Sequence, residues 1–291
     1  MLYSLLNVVT FHSIESKAFF DLDRPMVIAH QGGEHLRPSS TMAAFKHADE
    51  LGVDALETDL HMSRDGYLIN IHDPTVDRTT NGTGNVSDLT LSELKSLDAG
   101  YYFEGPNGQF PYRGEGLELI TLEELFQSFP DQRFVLEIKD SNPSPLIDDM
   151  IDRLIQLIGD YNMQHQVLIG SFDHDTIKQF QRADPYDVAT SGGRDNIRNF
   201  VITHKFHLRN LYNPTIDSIL IPPSESGFDL TTSSIIKGSD RLNLKLFYWT
   251  INDQDEMREL LMSGADGIIT DQPDLLLDVL KELKQNERVA P

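Results

Sequence analysis

The chain of 291 residues contains no cysteine. Disulfide bonds, a cysteine nucleophile and zinc sites with cysteine ligands are therefore excluded, although the compartment is left open. Basic residues are also few, because 24 Lys and Arg stand against 46 Asp and Glu and give a formal net charge of −22. Such a surface repels nucleic acid and anionic membranes, so neither is an expected partner. An anionic substrate would need local positive charge, for instance from a bound cation.

Long apolar runs are lacking too. The N-terminal stretch Met1–Phe11 is interrupted by polar residues and falls far short of the roughly 20 residues that a membrane-spanning helix needs. No Lys or Arg precedes Lys17 and no small-residue cleavage site is present, so an export signal is not favoured. We predict that residues 1–25 form an N-terminal extension packed on the domain and that the protein is cytoplasmic. Export or membrane association through this extension is the alternative, and the oligomeric state is left open.

Strand-like and helix-like runs alternate along most of the chain. The predicted strands are 26–30, 55–62, 67–72, 133–139, 167–172, 187–191, 218–221, 245–251 and 267–270, with helices at 41–51, 91–97, 121–129, 145–161, 176–183, 195–207, 232–237, 255–262 and 273–283. Segments 55–62 and 67–72 read as one hairpin, which leaves eight strand–helix units. This predicts a single TIM-like (β/α)8 barrel domain over residues 26–291, with a small insertion at about 74–118 after the second strand.

Several carboxylates occur at the ends of predicted strands, where barrel enzymes place their chemistry. Glu57 and Asp59 are two residues apart in a strand, so their side chains share one face. Adjacent buried carboxylates repel each other unless a cation neutralises them, and such oxygen ligands suit Mg²⁺ or Ca²⁺. With Glu137 as a third ligand, the sequence favours one divalent cation over the alternative of surface carboxylates on a strand edge. His61 continues the same face, and we expect it to lie below the site or on the hairpin.

Two histidines, His30 and His72, each stand at a strand end before a loop. One such histidine is commonly structural, but two beside a metal site suit general acid and general base roles. Lys139 can supply positive charge to an anionic group; its alternative is an ion pair with Glu137 or Asp59, which is compatible with catalysis. Trp249, the single tryptophan, reads equally as a wall for a small substrate and as core filler.

The combined motifs resemble the glycerophosphodiester phosphodiesterase family, over roughly nine-tenths of the chain. The resemblance rests on Ala29-His30-Gln31-Gly32-Gly33, Gly52-Val53-Asp54-Ala55-Leu56-Glu57-Thr58-Asp59, Arg64-Asp65-Gly66, Ile71-His72-Asp73, Asp77-Arg78-Thr79-Thr80-Asn81-Gly82, Glu137-Ile138-Lys139, Trp249-Thr250-Ile251-Asn252 and Thr270-Asp271-Gln272-Pro273. It implies metal-dependent hydrolysis of glycerophosphodiesters, which are small-molecule phosphodiester substrates, to glycerol 3-phosphate and an alcohol. It also implies Glu57, Asp59 and Glu137 as ligands of Mg²⁺ or Ca²⁺, His30 and His72 as the acid/base pair, and Lys139 as a phosphate ligand.

Two positions depart from the family pattern. The arginine that follows the first histidine in the family, a phosphate ligand, is Gln31 here, and the glutamate of the family's Pro-Glu-Asn-Thr motif is Ser39. Gln31 can donate one neutral hydrogen bond in place of a charge-assisted bidentate contact. Arg37 or His35 could replace the lost charge. Because the metal and histidine set is complete, we expect activity to be retained, with an altered substrate preference.

Three alternative functions are left open by the sequence. Cleavage of lysophospholipids, as by a lysophospholipase D, would need an apolar groove, which Tyr101-Tyr102-Phe103 and the N-terminal segment could provide. A barrel glycosidase would use two carboxylates without a metal. A phosphodiester-binding barrel without catalysis, weakened by Gln31 and Ser39, would bind its ligand but not turn it over.

Overall fold

The structure, a computed structural model, describes residues 13–206 and 208–289, with side chains to residue 285. The whole N-terminal stretch Met1–Phe11, with its possible signal, lies outside the described residues. The strands are β1 (Met26–Ala29), β2 (Ala55–Met62), β3 (Leu68–Asn70), β4 (Arg133–Ile138), β5 (Val167–Gly170), β6 (Ala189–Thr190), β7 (Ser218–Ile221), β8 (Ser224–Glu225), β9 (Phe228–Asp229), β10 (Lys245–Tyr248) and β11 (Gly267–Thr270).

Eight of these strands form a parallel barrel in the order β6-β5-β4-β2-β1-β11-β10-β7. A bridge between Ser191 and Ser218 joins the two ends of this order and closes the ring. Strand β3 pairs antiparallel with the end of β2, as the predicted hairpin requires. The predicted (β/α)8 barrel is therefore confirmed.

Helices cover the outside of the barrel. They are α1 (Met42–Leu51), α2 (Leu91–Lys95), α3 (Leu122–Ser128), α4 (Ile147–Asp160), α5 (His174–Ala183), α6 (Arg194–Lys205), α7 (Ser233–Leu242), α8 (Gln254–Ser263) and α9 (Pro273–Val289). Their ends follow local rules: α1 begins after Thr41, whose hydroxyl accepts the Ala44 N–H, and ends at Gly52 in the left-handed conformation. None of the helices in the described ranges combines the length and the apolar character needed to cross a bilayer.

The side chains of strand β2 point alternately into the barrel and towards the helices outside it. All eight of its residues are buried. Leu56 and Met62 belong to the main apolar cluster between strands and helices, whereas Ala55 belongs to a second cluster inside the barrel. Because side chains alternate along a strand, Glu57 and Asp59 share the inner face with Ala55.

The segment before β1 closes the lower end of the barrel, where the strands begin. Phe19 and Phe20 are buried in the interior cluster, and the Phe20 ring stacks on Phe247 at 6.2 Å. Lys17 Nζ lies 2.8 Å from Asp187 Oδ1, just before β6, and 3.4 Å from Asp217 Oδ2, just before β7. Residues 13–25 therefore pack on the end of the barrel opposite to the C-terminal ends of the strands.

The segment 74–118 packs around a small apolar cluster of its own. Val76, Val86, Leu94 and Ala99 are buried there together with Ile71, which follows β3. Helix α2 in this segment begins with a capping box, in which Thr90 and Glu93 bond each other's backbone N–H groups. The segment connects β3 to the helix α3 and lies after the second barrel strand.

Candidate active site

A cavity of about 200 Å³ opens at the C-terminal ends of the strands. Seven of the eight side chains predicted for the site line it, the exception being Gln31: His30, Glu57, Asp59, His72, Glu137, Lys139 and Trp249. Its remaining walls come largely from the barrel interior and the neighbouring loops, among them Val135, Leu220, Ile269, Ser171, Phe172 and Ile197. The structure thus brings together residues that stand up to about 220 positions apart in sequence, as the barrel topology predicts.

Three carboxylates lie side by side at one wall of the cavity. Asp59 on β2 and Glu137 on β4 are direct partners in the parallel register, and Glu57 lies one inward position earlier on β2. Burial and the neighbouring Asp59 raise the pKa of Glu57 to about 8. The same two causes raise the pKa of Glu137 to about 7, although Lys139 opposes the shift. Without a cation, this wall therefore takes up protons near neutral pH, because burial and mutual repulsion disfavour three charged carboxylates.

Lys139 is the cationic side chain in direct contact with this wall. Its Nζ lies 3.1 Å from Asp59 Oδ1 and 3.3 Å from Glu137 Oε1. Burial lowers the pKa of Lys139, but the two carboxylates outweigh that effect and raise it, so the ammonium group stays charged. The predicted alternative for Lys139, an ion pair with Glu137 or Asp59, is therefore present, and the side chain also lines the cavity.

The donor chemistry of this wall fits a hard divalent cation. Asp59 Oδ2 and Glu137 Oε1 are buried and lack a hydrogen-bond partner, the 3.3 Å contact of Glu137 with Lys139 being poorly directed. Buried carboxylate oxygens without donors are costly unless a cation binds them. Among the described residues, the three ligand atoms that lie within 4.8 Å of one another belong to His30, Glu34 and Asp271, and not to the carboxylate wall. Two of these three residues already bind each other through the His30–Asp271 hydrogen bond, so we favour the wall, whose buried oxygens lack donors, as the cation site.

His30 follows β1 and is held by residues from the far end of the chain. Its Nδ1 lies 2.6 Å from Asp271 Oδ1, and the other oxygen of Asp271 accepts a hydrogen bond from Asn252 Nδ2 at 2.7 Å. Burial lowers the pKa of His30, but Glu57, Asp271 and Asp59 together outweigh it and raise the pKa to about 9. The ring is thereby fixed with Nε2 towards Glu57, whose Oε2 lies 4.0 Å away.

His72 has a comparable partner. Its Nδ1 lies 2.7 Å from Asp73 Oδ1, and Arg78 binds both oxygens of Asp73, at 2.7 and 3.3 Å. Burial alone would raise the pKa of Asp73, yet Arg78 and His72 hold it below its usual range. Sequence reasoning did not assign roles to Asp271, Asn252, Asp73 or Arg78, although all four lie within the motifs that carry the family resemblance.

Gln31 lies beside His30 rather than on the cavity wall. Its backbone N–H donates to Glu57 Oε2 at 2.9 Å, its Nε2 lies 3.3 Å from His30 Nε2, and its Oε1 is buried without a partner. Gly32 permits this turn, since its φ is +78° and a Cβ there would come within 2.9 Å of the Ala44 Cβ. Of the predicted substitutes for a lost arginine, Arg37 bonds the Leu36 carbonyl, and neither it nor His35 lines the cavity.

The remaining predictions for this region have mixed outcomes. His61 lies outside the cavity lining, as expected. Trp249 lines the cavity and packs edge-on against Phe172 at 5.6 Å, which favours the wall over the core filler. The apolar groove that residues 101–103 and the N-terminal segment could provide for a lysophospholipid is not part of this cavity, and residues 1–12 lie outside the described residues. The cavity lining excludes both segments, and residues 13–25 lie at the opposite end of the barrel.

A parallel barrel with two carboxylate-bound histidines, a carboxylate wall and a lysine at its catalytic rim defines an α/β-barrel enzyme equipped for acid–base chemistry. Comparison with known sequences narrows this class. Residues 30–275 match the glycerophosphoryl diester phosphodiesterase family. The chain belongs to this family and is a phosphoric diester hydrolase.

Individual relatives cover nearly all of the barrel. The chain is 32% identical over 259 residues to a glycerophosphodiester phosphodiesterase of Caldanaerobacter subterraneus. This alignment covers 89% of this chain and 99% of that protein. It superposes on the glycerophosphodiester phosphodiesterase of Agrobacterium tumefaciens with a TM-score of 0.69 at 25% identity, covering 87% and 99% of the two chains. A phosphodiesterase of Oleispira antarctica, in complex with the product sn-glycerol-3-phosphate, has the same fold (TM-score 0.71, 24% identity, 89% and 97% covered).

The family assignment decides between several of the sequence-based expectations. The resemblance to the family is confirmed, and a barrel glycosidase is no longer a candidate. Enzymes of this family depend in general on a divalent metal, in agreement with the unsatisfied carboxylate oxygens of the cavity wall.

Proposed function

We propose that this protein hydrolyses glycerophosphodiesters to sn-glycerol 3-phosphate and an alcohol, with His30 and His72 as its acid/base pair. The observation that carries the proposal is the paired arrangement of the two imidazoles. Both line one cavity, and the Nδ1 atom of each is held by an aspartate, Asp271 or Asp73. Each ring then presents Nε2 for proton transfer. The names of the relatives and the product bound to the Oleispira enzyme support the substrate class.

The cavity residues divide the work of the reaction. With water as the nucleophile, one histidine removes a proton from it as the new P–O bond forms, and the other donates a proton to the alcohol oxygen as the old P–O bond breaks. If the substrate's own glycerol hydroxyl attacks instead, the alcohol leaves in the same way and a cyclic phosphate forms. A second step, in which water attacks the ring and the two histidines exchange roles, then gives sn-glycerol 3-phosphate. Lys139 binds a phosphoryl oxygen as a point charge. Gln31 is not part of the cavity lining, and its side-chain amide, 3.3 Å from His30 Nε2, would reach a phosphoryl oxygen only from beside that ring. Trp249, with Phe172 against its edge, forms an apolar wall for the carbon atoms of the substrate.

A divalent cation completes the proposed site. Glu57, Asp59 and Glu137 would hold Mg²⁺ or Ca²⁺, for which the unpartnered oxygens of Asp59 and Glu137 are the structural support. When bound, such a cation neutralises negative charge on the phosphoryl oxygens. It would also offset the mutual repulsion of the three carboxylates, which Lys139 and the His30 imidazole offset only in part.

The deciding experiment is release of sn-glycerol 3-phosphate from glycerophosphocholine. The purified protein is assayed after chelation, and again with Mg²⁺ or Ca²⁺ restored. We expect release only with a cation. His30→Ala and His72→Ala should each lower kcat by roughly 10²–10⁴-fold, the range of general acid–base catalysis, with the fold intact by circular dichroism. Normal turnover in either variant would remove that histidine from the mechanism.

Two alternatives are distinguished by the same assay. Lysophospholipids share the phosphodiester, and the apolar side chains of Ile197, Leu220 and Phe172 would contact the start of an acyl chain. The cavity measures about 200 Å³, so a long acyl chain would extend beyond it into solvent. We therefore expect faster turnover of water-soluble diesters than of acylated ones. Binding of sn-glycerol 3-phosphate without any turnover would instead identify a binding barrel weakened at Gln31 and Ser39.

A further inference from the structure

The imidazole of His61 is a buried group that the proposed mechanism does not use. It is 2% exposed and lies on the inner face of β2, two residues beyond Asp59. Its Nε2 lies 3.2 Å from the carbonyl oxygen of His72, and its Nδ1 lies 3.0 Å from Asn142 Oδ1. Burial lowers the pKa of His61, so the ring is neutral and carries one N–H; with that N–H on Nε2 it donates to the His72 carbonyl, and Asn142 is in packing contact with the ring. The ring therefore connects the loop that carries His72 to the loop that follows β4.

Asn142 extends this connection to Lys139. Its buried amide nitrogen donates to the carbonyl oxygens of Leu60 and Lys139, both at 2.9 Å, and its backbone N–H donates to the Lys139 carbonyl at 3.2 Å. His61 and Asn142 thus tie three segments together. They are the end of β2 after Asp59, the turn after Lys139 and the loop of His72.

His72 depends on such an attachment because it lies beyond the end of β3. The partners of its imidazole, Asp73 and Arg78, belong to the same loop and move with it. Other contacts also join this loop to the barrel near His72. The Ile71 N–H donates to the backbone carbonyl oxygen of Asp59 at 3.0 Å, and Arg78 forms a 3.8 Å ion pair with Glu34. The bond from His61 acts at His72 itself.

We propose that His61 is a positioning residue that holds His72 at its working distance from Lys139 and the carboxylate wall. The inference rests on the proposed function, in which His72 transfers a proton and Lys139 binds the phosphoryl group. A displacement of about 1 Å at such a group can lower the rate by as much as about 100-fold. Since His72 acts in the transition state, its displacement lowers kcat more than it changes KM.

The test compares three variants with glycerophosphocholine as substrate. His61→Leu removes both contacts, and we expect kcat to fall by about 10- to 100-fold with KM changed less than about threefold. His61→Gln places an amide donor where imidazole Nε2 was, so it should recover most of kcat. His61→Asn reaches only towards Asn142 and should not. A matched control is His204→Gln, which alters another buried histidine, on α6, whose Nδ1 donates to Phe200; it should lower Tm and leave kcat unchanged.

A double variant separates positioning from a general loss of structure. In a His72→Ala background, His61→Leu should lower kcat no further, because the group that it positions is gone. An equal further loss, or full kcat in His61→Leu, overturns the inference while the proposed function stands. Normal turnover of His72→Ala itself overturns both. If His61→Leu does not fold, the Gln and Asn variants decide: about tenfold higher kcat for Gln supports the inference, and equal values overturn it.

Discussion

The Nδ1 atom of His30 lies 2.6 Å from Oδ1 of Asp271, although 241 positions separate the two residues in sequence. Closure of the barrel makes this pair, because β1 and β11 are hydrogen-bonded neighbours, with Ala29 opposite Thr270. Asn252 holds Asp271 by two hydrogen bonds: its Nδ2 donates to the carboxylate Oδ2, and its Oδ1 accepts the backbone N–H of Asp271. The first histidine of the site is therefore oriented by the last strand of the barrel.

Asp271→Asn should lower kcat by about 100-fold, within the range of general acid–base catalysis. The amide keeps the shape of the side chain but removes the negative charge that holds the His30 ring in one orientation and protonation pattern. Steady-state kinetics with glycerophosphocholine measures the loss. Asp266→Asn is the control, since Asp266 lies at the opposite end of the same strand and pairs with Lys245; it should cost stability but not kcat. Full activity of Asp271→Asn would show that catalysis by His30 does not require the negative charge of Asp271.

Arg78→Lys should lower kcat by about tenfold, because lysine offers a point charge where arginine binds both oxygens of Asp73. The Asp73 carboxylate would then hold His72 less firmly. The kinetic comparison is with Arg64→Lys, which alters an exposed arginine that lies before the same insertion and pairs with Glu93; this control should keep wild-type kcat. Equal activity of the two variants would mean that the Asp73–Arg78 contact does not serve His72.

The metal-free protein should lose stability as pH rises. Its Glu57 and Glu137 have pKa values of about 8 and about 7, above the ordinary 4.5, so the folded state binds protons that the unfolded chain releases. The stability that these groups contribute is complete below about pH 4.5 and is lost as pH rises through their folded pKa values. The melting temperature of chelator-treated protein, measured from about pH 5 to pH 8.5, should fall across this window.

Added cation should reverse that loss. Mg²⁺ or Ca²⁺ competes with protons for the same oxygens, so the gain in Tm should be larger at high pH than at low pH. General repulsion in a chain with net charge −22 also weakens the fold as pH rises. The Glu57→Gln variant separates the contribution of Glu57 from this general effect. The variant should show a flatter pH dependence and a smaller cation effect. A pH dependence that is the same in both proteins would contradict the assignment of Glu57.

The single tryptophan should report ligand binding directly. Trp249 lines the cavity in edge contact with Phe172, so sn-glycerol 3-phosphate bound there changes the surroundings of the only indole in the chain. Titration in the presence of cation should give a saturable change in intrinsic fluorescence, with a Kd that matches the inhibition constant for the product. His72→Ala should retain the signal. Inhibition without any fluorescence change would place the product away from Trp249.

The fold was predictable because its signals are local. The two-residue period of β2 put Glu57 and Asp59 on one face, and the apolar stripe of α4 marked a helix packed against the barrel. The β8–β9 hairpin was not predicted, since Ser224-Glu225-Ser226-Gly227 has the polar, glycine-containing composition of a loop. Its strands are two residues each and exposed, and so carry no hydrophobic pattern.

The residues of the candidate site could be predicted from the sequence, but the contacts between them could not. Strand-end positions identified His30, His72 and the carboxylates because parallel strands deliver their C-terminal ends to one rim. The partners of the two histidines depend on side-chain directions that no periodicity encodes. Asp271 could be found only by knowing that β11 lies beside β1. Gln31 likewise contributes a backbone N–H to Glu57, a contact that the identity of its side chain does not reveal.

The aromatic pair Phe19 and Phe20 fills the barrel from below, beneath the layer that carries the carboxylates. Among the described residues, the cavity is therefore closed from below and does not run through the barrel. In the part of the chain that the structure describes, the cavity opens between the loops of His30, His72 and Trp249, so substrate and both products would pass there. The products of one turnover must leave the cavity before the next substrate can bind, so a slowly released product inhibits the enzyme by occupying the substrate site.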